Sequence, residues 1–268
     1  MDYFEHDQLK FAYREQGAGT PFVFQHGLGS NTQQPFQIAA TLRRVRLLGM
    51  DCRAHGDTFP LGPPAKISLS QSADDLLALL DELMIERAVI GGISMGAAIA
   101  LTLVIRHSER ALALVVSRPA WLDQPAPANL DQFSVIASLL RAYGPEKGLD
   151  EFRRSAAYRQ LERDHPASAE SLAGQFVEPR AVEAVVRLER IPNDVPTADR
   201  RDWARIAVPT LVLGNSDDPI HPLAYAMQIA DAIPGAAFAE LTPKGVSPER
   251  HAADATLAIS DFLNVVGS

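Results

Sequence analysis

The segment Gly91-Gly-Ile-Ser-Met-Gly96 is the stretch from which the fold of this chain can be predicted. The strand-forming residues Ala88-Val89-Ile90 precede it, and residues 97–106, which are rich in good helix formers, follow it. Ser94 therefore lies where a strand turns sharply into a helix. A glycine two residues away on each side completes the pattern G-x-S-x-G, which suits a sharp turn because small neighbours let the strand and the helix approach closely.

The position of Ser94 also suits it to chemistry. A side chain at such a turn is held above the edge of the sheet, at the amino end of the helix that follows. The helix dipole and the free backbone N–H groups there favour developing negative charge. The alternative is a glycine-rich turn that contains an incidental serine, and the rest of the chain must decide between the two.

Length and composition are typical of one large globular α/β domain. The chain has 268 residues, of which 47% are hydrophobic and 22% are charged. It carries 25 basic and 33 acidic residues, and the net charge of −8 argues against a nucleic-acid or anionic-membrane partner. The charge does not choose a substrate.

Cysteine content and apolar patterning bear on the compartment. The single cysteine, Cys52, excludes an internal disulfide and fits a reducing environment. The acidic first residues lack the basic region and apolar core of a signal peptide. No apolar run approaches the roughly 18 to 20 residues that cross a bilayer. We therefore expect a soluble, cytoplasmic protein.

Strand-like and helix-like segments alternate along the first part of the chain. Residues 3–16 alternate loosely and predict antiparallel edge strands. The amphipathic segment 68–84 is the clearest helix, with leucines at spacings of three and four. Strands are predicted at 22–24, 45–50, 88–90 and 111–117, and a short helix at 35–42. This order predicts an α/β fold with a mostly parallel central sheet flanked by helices.

The rhythm changes after residue 120. Residues 121–202 hold proline-bearing turns and helical stretches, such as 130–143 and 182–188, but no convincing strand. We interpret them as a helical cap inserted into a core formed by residues 1–120 and 203–268. In the second part of the core the alternation resumes, with strands at 209–214 and 236–241 and helices at 222–233 and 247–266.

Four motifs now stand in a fixed order along the chain. They are His26-Gly27, Asp51-x-Arg53-x-His55-Gly56, Gly92-x-Ser94-x-Gly96 and Asp218-x-x-x-Pro222. In these motifs and their order the chain resembles the serine-nucleophile branch of the α/β-hydrolase superfamily, which includes esterases and lactonases. The resemblance implies the corresponding fold, with the first motif as the oxyanion-hole turn and the third as the nucleophile elbow.

The resemblance also implies roles for individual residues. Ser94 would attack a carbonyl carbon and form an acyl-enzyme. The backbone N–H groups of Leu28 and Met95 would form the oxyanion hole. The Asp-x-x-x-Pro spacing favours Asp218 as the acid that orients the base, whereas a count of three residues from the end of the preceding strand favours Asp217.

The histidine is where the chain departs from its family pattern. Members usually carry the catalytic histidine directly after the last strand, about seventeen residues before the terminal Phe-Leu of the last helix. Here that count, taken from Phe262, reaches Gly245, within Thr-Pro-Lys-Gly-Val, and finds no histidine. We therefore expect His251, in the first turn of the closing helix, to be the base, and keep His221 as the alternative. A serine without any base is the third possibility.

The remaining candidates concern the substrate. Arg118 and Trp121 follow a predicted strand and are expected to bind substrate, although Trp121 fits a core position equally well. The histidines show no metal-ligand spacing of the H-x-x-x-H type, so neither a metal nor a cofactor is expected. The predicted function is a serine hydrolase that cleaves a carboxylic ester, lactone or thioester of a small or medium-sized molecule. A carbon–carbon bond hydrolase with the same triad and a non-catalytic small-molecule-binding homologue are the alternatives.

Overall fold

A computed structural model describes residues 1–266. The strands within this range form one eight-stranded sheet. Its strand order is β1-β2-β4-β3-β5-β6-β7-β8. The first two strands run antiparallel to their neighbours, and the other six are parallel to one another. The strands are β1 (Asp2–His6), β2 (Leu9–Gly17), β3 (Thr20–Gln25), β4 (Val45–Met50), β5 (Ala88–Ile93), β6 (Ala111–Ser117), β7 (Thr210–Gly214) and β8 (Ala237–Glu240). The predicted α/β architecture is confirmed.

Helices cover both faces of this sheet. They are α1 (Gln33–Ala39), α2 (Leu69–Glu82), α3 (Met95–Arg106), α4 (Asp131–Arg154), α5 (Ala156–Asp164), α6 (Pro166–Val177), α7 (Val186–Arg190), α8 (Leu223–Ala232) and α9 (Pro248–Val266). Side chains alternate along β3, so that Phe22 and Phe24 pack with α1 and α9 whereas Val23 packs in the core that includes α2 and α3. Apolar burial on both faces is typical of a parallel sheet.

The segment between β6 and β7 is helical and contains no strand within the described residues. The predicted helix 130–143 is the first part of α4, which is interrupted at Gly144, where φ is 74° and ψ is −174°, just before Pro145. The predicted helix 182–188 is placed too early, since α7 begins at Val186 after a turn.

Arg187 of α7 connects this helical segment to the core. The residue is only 3% exposed, and its Nη1 donates a hydrogen bond of 2.7 Å to the Ala54 carbonyl oxygen in the loop after β4. Burial lowers the pKa of Arg187 to about 10. The helical segment is thus anchored next to the carboxyl ends of the parallel strands, where ligands bind in open α/β sheets.

Within residues 1–266, no helix combines the length and the apolar character that crossing a bilayer would require.

Candidate active site

Ser94 occupies the sharp turn between β5 and α3. Its backbone has a φ of 57° and a ψ of −111°, outside the conformations that non-glycine residues usually adopt. The turn is held because Ser94 N–H donates to the Ser117 carbonyl oxygen at 2.9 Å and its own carbonyl accepts from Ala98 N–H at 3.1 Å. The chain therefore keeps Ser94 in a strained conformation that projects its partly exposed hydroxyl from the sheet edge.

The two glycines of the elbow are required by space. A Cβ on Gly92 would lie 2.2 Å from the carbonyl carbon of Gly96, and a Cβ on Gly96 would lie 2.2 Å from the Gln25 carbonyl oxygen. Both contacts are with backbone atoms, which cannot swing away as a side chain can. The sequence argument for small residues on both sides of Ser94 is confirmed.

A chain of hydrogen bonds links Ser94 to a histidine and an aspartate in the loop after β7. Ser94 Oγ lies 2.9 Å from His221 Nε2, and His221 Nδ1 lies 3.0 Å from Asp218 Oδ2. Asp218 also shapes the turn, because its Oδ1 accepts from the backbone N–H groups of Ile220 and His221, each at 3.1 Å. The imidazole therefore reaches Ser94 from a loop that the carboxylate itself organises.

The expectation that His251 meets Ser94 is wrong. α9 begins at Pro248, and Ser247 caps it by accepting from Arg250 N–H at 3.2 Å. This start turns the His251 ring towards the end of β8, where its Nδ1 lies 2.9 Å from the Thr242 carbonyl oxygen. His221, the alternative candidate, is the histidine within hydrogen-bond distance of Ser94 Oγ.

The two neighbouring aspartates have different environments. The Asp218 side chain is 5% exposed and contacts His221, whereas the Asp217 side chain is 48% exposed and lies 2.7 Å from His165 Nδ1. The carboxylate in the hydrogen-bonded chain with Ser94 is thus that of Asp218, as the Asp-x-x-x-Pro spacing favoured.

Arg118 lies beside this chain, directly after β6. It donates to Asp218 Oδ2 from Nη2 at 2.6 Å and from Nε at 3.2 Å, and its Nη2 lies 3.0 Å from His221 Nδ1. Asp218 Oδ2 thus faces both the guanidinium and the imidazole. We assign the ring proton to Nδ1, where the carboxylate accepts it, so that Nε2 is free to accept from the Ser94 hydroxyl.

Burial is the main reason that the His221 imidazole is neutral. Burial lowers the pKa of His221, the positive charges of Arg118 and Lys244 lower it further, and the negative charge of Asp218 opposes both. Burial tends to raise the pKa of Asp218, but the neighbouring His221 and Arg118 hold that pKa well below its ordinary value. At neutral pH the site therefore contains a neutral imidazole beside an ionised carboxylate.

The His26-Gly27 turn packs against the elbow. A Cβ on Gly27 would lie 3.5 Å from Ser94 Cβ, so glycine keeps this approach open. Gly27 N–H donates to Gln34 Oε1 at 2.7 Å, and Leu28 N–H has no hydrogen-bond partner among residues 1–266. Met95 is the first residue of α3, where backbone N–H groups lack an intrahelical partner. The oxyanion hole at Leu28 and Met95 stays a prediction.

A narrow cavity of about 70 Å³ opens onto Ser94. Side chains from the sheet edge and from α6 line it, and most of them are polar: Gln34, Ser94, Arg118, Ser168, Ser171, Gln175, Asn215, Asp217, Asp218, His221 and Lys244. Its volume accommodates on the order of five water-sized groups. The arrangement suits a small, polar ligand.

The structure separates the two residues that were expected to bind substrate. Arg118 lines the cavity. Trp121 does not, because its side chain is 1% exposed and packs in the hydrophobic core. The expectation that Trp121 lines the pocket entrance is wrong, and its alternative core position is the one observed.

Sequence reasoning missed several residues of the cavity wall. Lys244 follows β8, in the loop where the family pattern places a histidine. This position in the sequence could have indicated that Lys244 lines the cavity. Gln175 of α6 reaches the oxyanion-hole turn, with its Nε2 3.4 Å from the Leu28 carbonyl oxygen. Nothing in its surrounding sequence indicates this contact, which depends on how the helical segment packs.

Comparison with known proteins agrees with the observed fold. The family model described as "alpha/beta hydrolase fold" matches residues 20–245. The chain is 28% identical over 232 residues to 3-oxoadipate enol-lactonase 2 of Acinetobacter baylyi, covering 84% of this chain and 81% of the relative. It is 29% identical over 269 residues to 2-hydroxymuconate semialdehyde hydrolase of a Pseudomonas species, covering 93% and 88%.

A solved structure shows a similar fold. The enol-lactonase from Burkholderia xenovorans LB400 superimposes with a TM-score of 0.78 at 25% sequence identity. The match covers 98% of this chain and all of the other.

Proposed function

The chain belongs to the α/β-hydrolase family, and from this premise we propose that it cleaves a carboxylic ester, lactone or thioester through an acyl-enzyme on Ser94. One observation carries the proposal: Ser94 Oγ, His221 Nε2, His221 Nδ1 and Asp218 Oδ2 form a continuous chain with links of 2.9 and 3.0 Å. Distances of 2.6 to 3.2 Å between a nucleophile and its base allow proton transfer.

In the first half of the reaction, His221 Nε2 accepts the Ser94 proton as Oγ attacks the substrate carbonyl carbon. Asp218 keeps the other ring proton on Nδ1 and stabilises the imidazolium that forms. The same proton then passes from His221 to the leaving oxygen or sulfur, and the acyl group stays on Ser94. This assignment replaces His251 by His221 and keeps Ser94 and Asp218 in their predicted roles.

The developing oxyanion is held by the backbone N–H groups of Leu28 and Met95 in this proposal. The contact between Gly27 and the elbow supports it, because the turn that carries Leu28 faces the residue before Met95. A donor of this kind typically contributes on the order of 3 kcal/mol to transition-state stabilisation.

In the second half, water attacks the acyl-enzyme. His221 accepts a proton from this water and returns it to Ser94 Oγ, so the acid product leaves and the hydroxyl is restored. We further propose that residues 121–202 form the cap, because α6 contributes Ser168, Ser171 and Gln175 to the cavity wall. The proposal places this enzyme in the cytoplasm, in line with its single buried thiol at Cys52.

The relatives support more than one reaction of this chemistry. Proteins similar to this chain include enol-lactonases and 2-hydroxymuconate semialdehyde hydrolases. Lactone or ester hydrolysis is the primary proposal, and carbon–carbon bond hydrolysis by the same three side chains is the second candidate. A homologue that only binds small molecules would not need a base at 2.9 Å from the serine.

The test is covalent labelling with a fluorophosphonate probe, together with hydrolysis of p-nitrophenyl acetate. We expect Ser94 to be labelled and the ester to be hydrolysed, and we expect both to be lost in Ser94→Ala. The matched control is Ser138→Ala, since Ser138 is an exposed serine on α4. A wild-type protein that is neither labelled nor active on any ester or lactone would refute the proposal.

A further inference from the structure

The loop between β8 and α9 contains Lys244 and lacks the histidine that the family pattern places there. Because His221 already contacts Ser94 from the loop after β7, no imidazole is needed in the β8–α9 loop. Lys244 nevertheless lies on the wall of the cavity that contains Ser94. Lys244 can therefore bind substrate, since the reaction does not need this position for proton transfer.

Two cations face this cavity, and their charges are not equally compensated. Arg118 is paired with Asp218 through Nε and Nη2, and its Nη1 has no hydrogen-bond partner among residues 1–266. Lys244 has no hydrogen bond or ion pair to any residue of the range 1–266, and the negative charges of Asp218 and Glu170 raise its pKa. Partial burial of its ammonium group and then the positive charge of Arg118 lower the pKa of Lys244, although the residue as a whole is exposed.

The carboxylate oxygens of Asp218 bond other groups. Its Oδ1 accepts two backbone N–H groups, and its Oδ2 accepts from Arg118 and His221. Asp218 therefore acts on Lys244 through its charge, without a hydrogen bond or ion pair between the two side chains within residues 1–266. An anion between Arg118 and Lys244 would relieve the repulsion between them and would accept charge-assisted hydrogen bonds from both.

The size and charge of the cavity narrow the chemistry of that anion. About 70 Å³ admits a short chain of a few heavy atoms and not a long acyl tail. Asp217 and Asp218 also line the cavity, so they repel a group with two negative charges about twice as strongly as a monoanion. A carboxylate fits both conditions better than a phosphate does.

We propose that Arg118 and Lys244 form a carboxylate-binding subsite, and that the substrate is a short ester or lactone that carries a second, free carboxylate group. This inference rests on the proposed hydrolase function and specifies its substrate class. Lys244 sets the preference for the anion. Arg118 provides the second positive charge and also holds Asp218.

The experiment compares substrates that differ only in that charge. Monomethyl glutarate is compared with its primary amide, and 5-oxotetrahydrofuran-2-carboxylate with its primary amide. Hydrolysis is followed in a pH-stat, because ester cleavage and ring opening each release one proton. The quantity measured is the ratio of kcat/KM for the acid to kcat/KM for the amide, in the wild type, Lys244→Met and Lys244→Arg.

We expect the wild type to prefer the acid of at least one pair by tenfold or more. Lys244→Met should reduce this ratio at least fivefold, mainly through a higher KM for the acid, and Lys244→Arg should retain most of it. The matched control is Lys147→Met, because Lys147 is an exposed lysine on α4 that stacks over Tyr143, and it should keep the wild-type ratio.

The outcomes separate this inference from the proposed function. Hydrolysis of acids and amides at equal rates, or a ratio that Lys244→Met leaves unchanged, would overturn the carboxylate subsite while the hydrolase proposal stands. If Ser94 is not labelled by a fluorophosphonate and none of the four compounds is cleaved, the hydrolase proposal fails and the subsite inference fails with it. Circular dichroism and the melting temperature of Lys244→Met are compared with those of the wild type, which separates a lost preference from a lost fold.

Discussion

Replacing Gly96 by alanine tests how closely the elbow is packed. A Cβ at this position would lie 2.2 Å from the Gln25 carbonyl oxygen, 2.6 Å from its carbonyl carbon and 2.8 Å from the His26 carbonyl oxygen. Ordinary contact begins at 3.4 Å, so the backbone must move by 3.4 − 2.2 = 1.2 Å. That movement separates the elbow from the turn that carries Leu28.

The expected cost follows from this displacement. Overpacking of this kind typically costs about 1–3 kcal/mol of stability, which a domain of this size survives. A displacement of about 1 Å at the reacting groups costs on the order of 100-fold in rate. Ser94 Oγ is 2.9 Å from His221 Nε2, and we expect an elbow movement of 3.4 − 2.2 = 1.2 Å to weaken that hydrogen bond.

The assay measures kcat/KM on a p-nitrophenyl ester and the melting temperature of Gly96→Ala and of a control, Gly174→Ala. Gly174 lies in α6, where a Cβ would meet nothing within 4 Å. The control should keep its activity within twofold and gain up to about 1 kcal/mol from helix propensity. A folded Gly96→Ala protein with activity within twofold of the wild type would refute this account of the elbow.

Two further predictions concern pH. Burial and then the charge of Arg118 lower the pKa of His221, so kcat/KM should be constant between pH 7 and 8 and should fall only below pH 6.5. Arg118→Met should move the inflection of this pH profile to higher pH. An inflection above pH 6.5 in the wild type would contradict the prediction. Burial and then the charge of Arg187 hold the pKa of His55 well below 6.5. As the pH falls, His55 therefore takes up a proton only in the unfolded chain. The free energy of unfolding should decrease below pH 6.5 by about 1.4 kcal/mol per pH unit for this group. Urea unfolding at pH 5.5 and 7 measures how steeply the free energy of unfolding falls with pH. In His55→Gln this fall should be less steep, because about one proton fewer is taken up on unfolding. An unchanged dependence on pH would contradict the prediction.

The sheet was predictable from sequence because buried parallel strands are continuous apolar runs. The predicted limits of β4 and β6 coincide with the observed Val45–Met50 and Ala111–Ser117. Helices of the segment between β6 and β7 were less predictable, since their apolar faces depend on how they pack. The start of α7 was therefore misplaced, and α5 and α6 were not delimited.

The candidate site was predictable where its geometry is local. The glycines beside Ser94 and the spacing from Asp218 to Pro222 each describe one turn, and a turn can be read from its own residues. The base was mispredicted because His251 was chosen for its place after the last strand, as in the family pattern. The short distance along the chain between Asp218 and His221 was given less weight. His221 follows Asp218 by three residues in one turn, and this spacing was the available signal.

The position of Trp121 could not be predicted from local sequence. It follows the same strand as Arg118, and no local pattern distinguishes a side chain that points into the core from one that lines a cavity. The structure buries Trp121 and leaves Arg118 beside Asp218. Only the packing of the helical segment decides this, and it cannot be read from spacing.

The central claim is that His221, and not His251, takes the proton of Ser94, and the most direct measurement is kcat/KM for a p-nitrophenyl ester in His221→Ala and His251→Ala. We expect a loss of at least 10³-fold in His221→Ala, as is usual when the base of such a site is removed. We expect His251→Ala, once shown by circular dichroism to be folded, to stay within tenfold of the wild type. A folded His221→Ala enzyme that retains most of its activity while His251→Ala is inactive would contradict the assignment of His221 as the base.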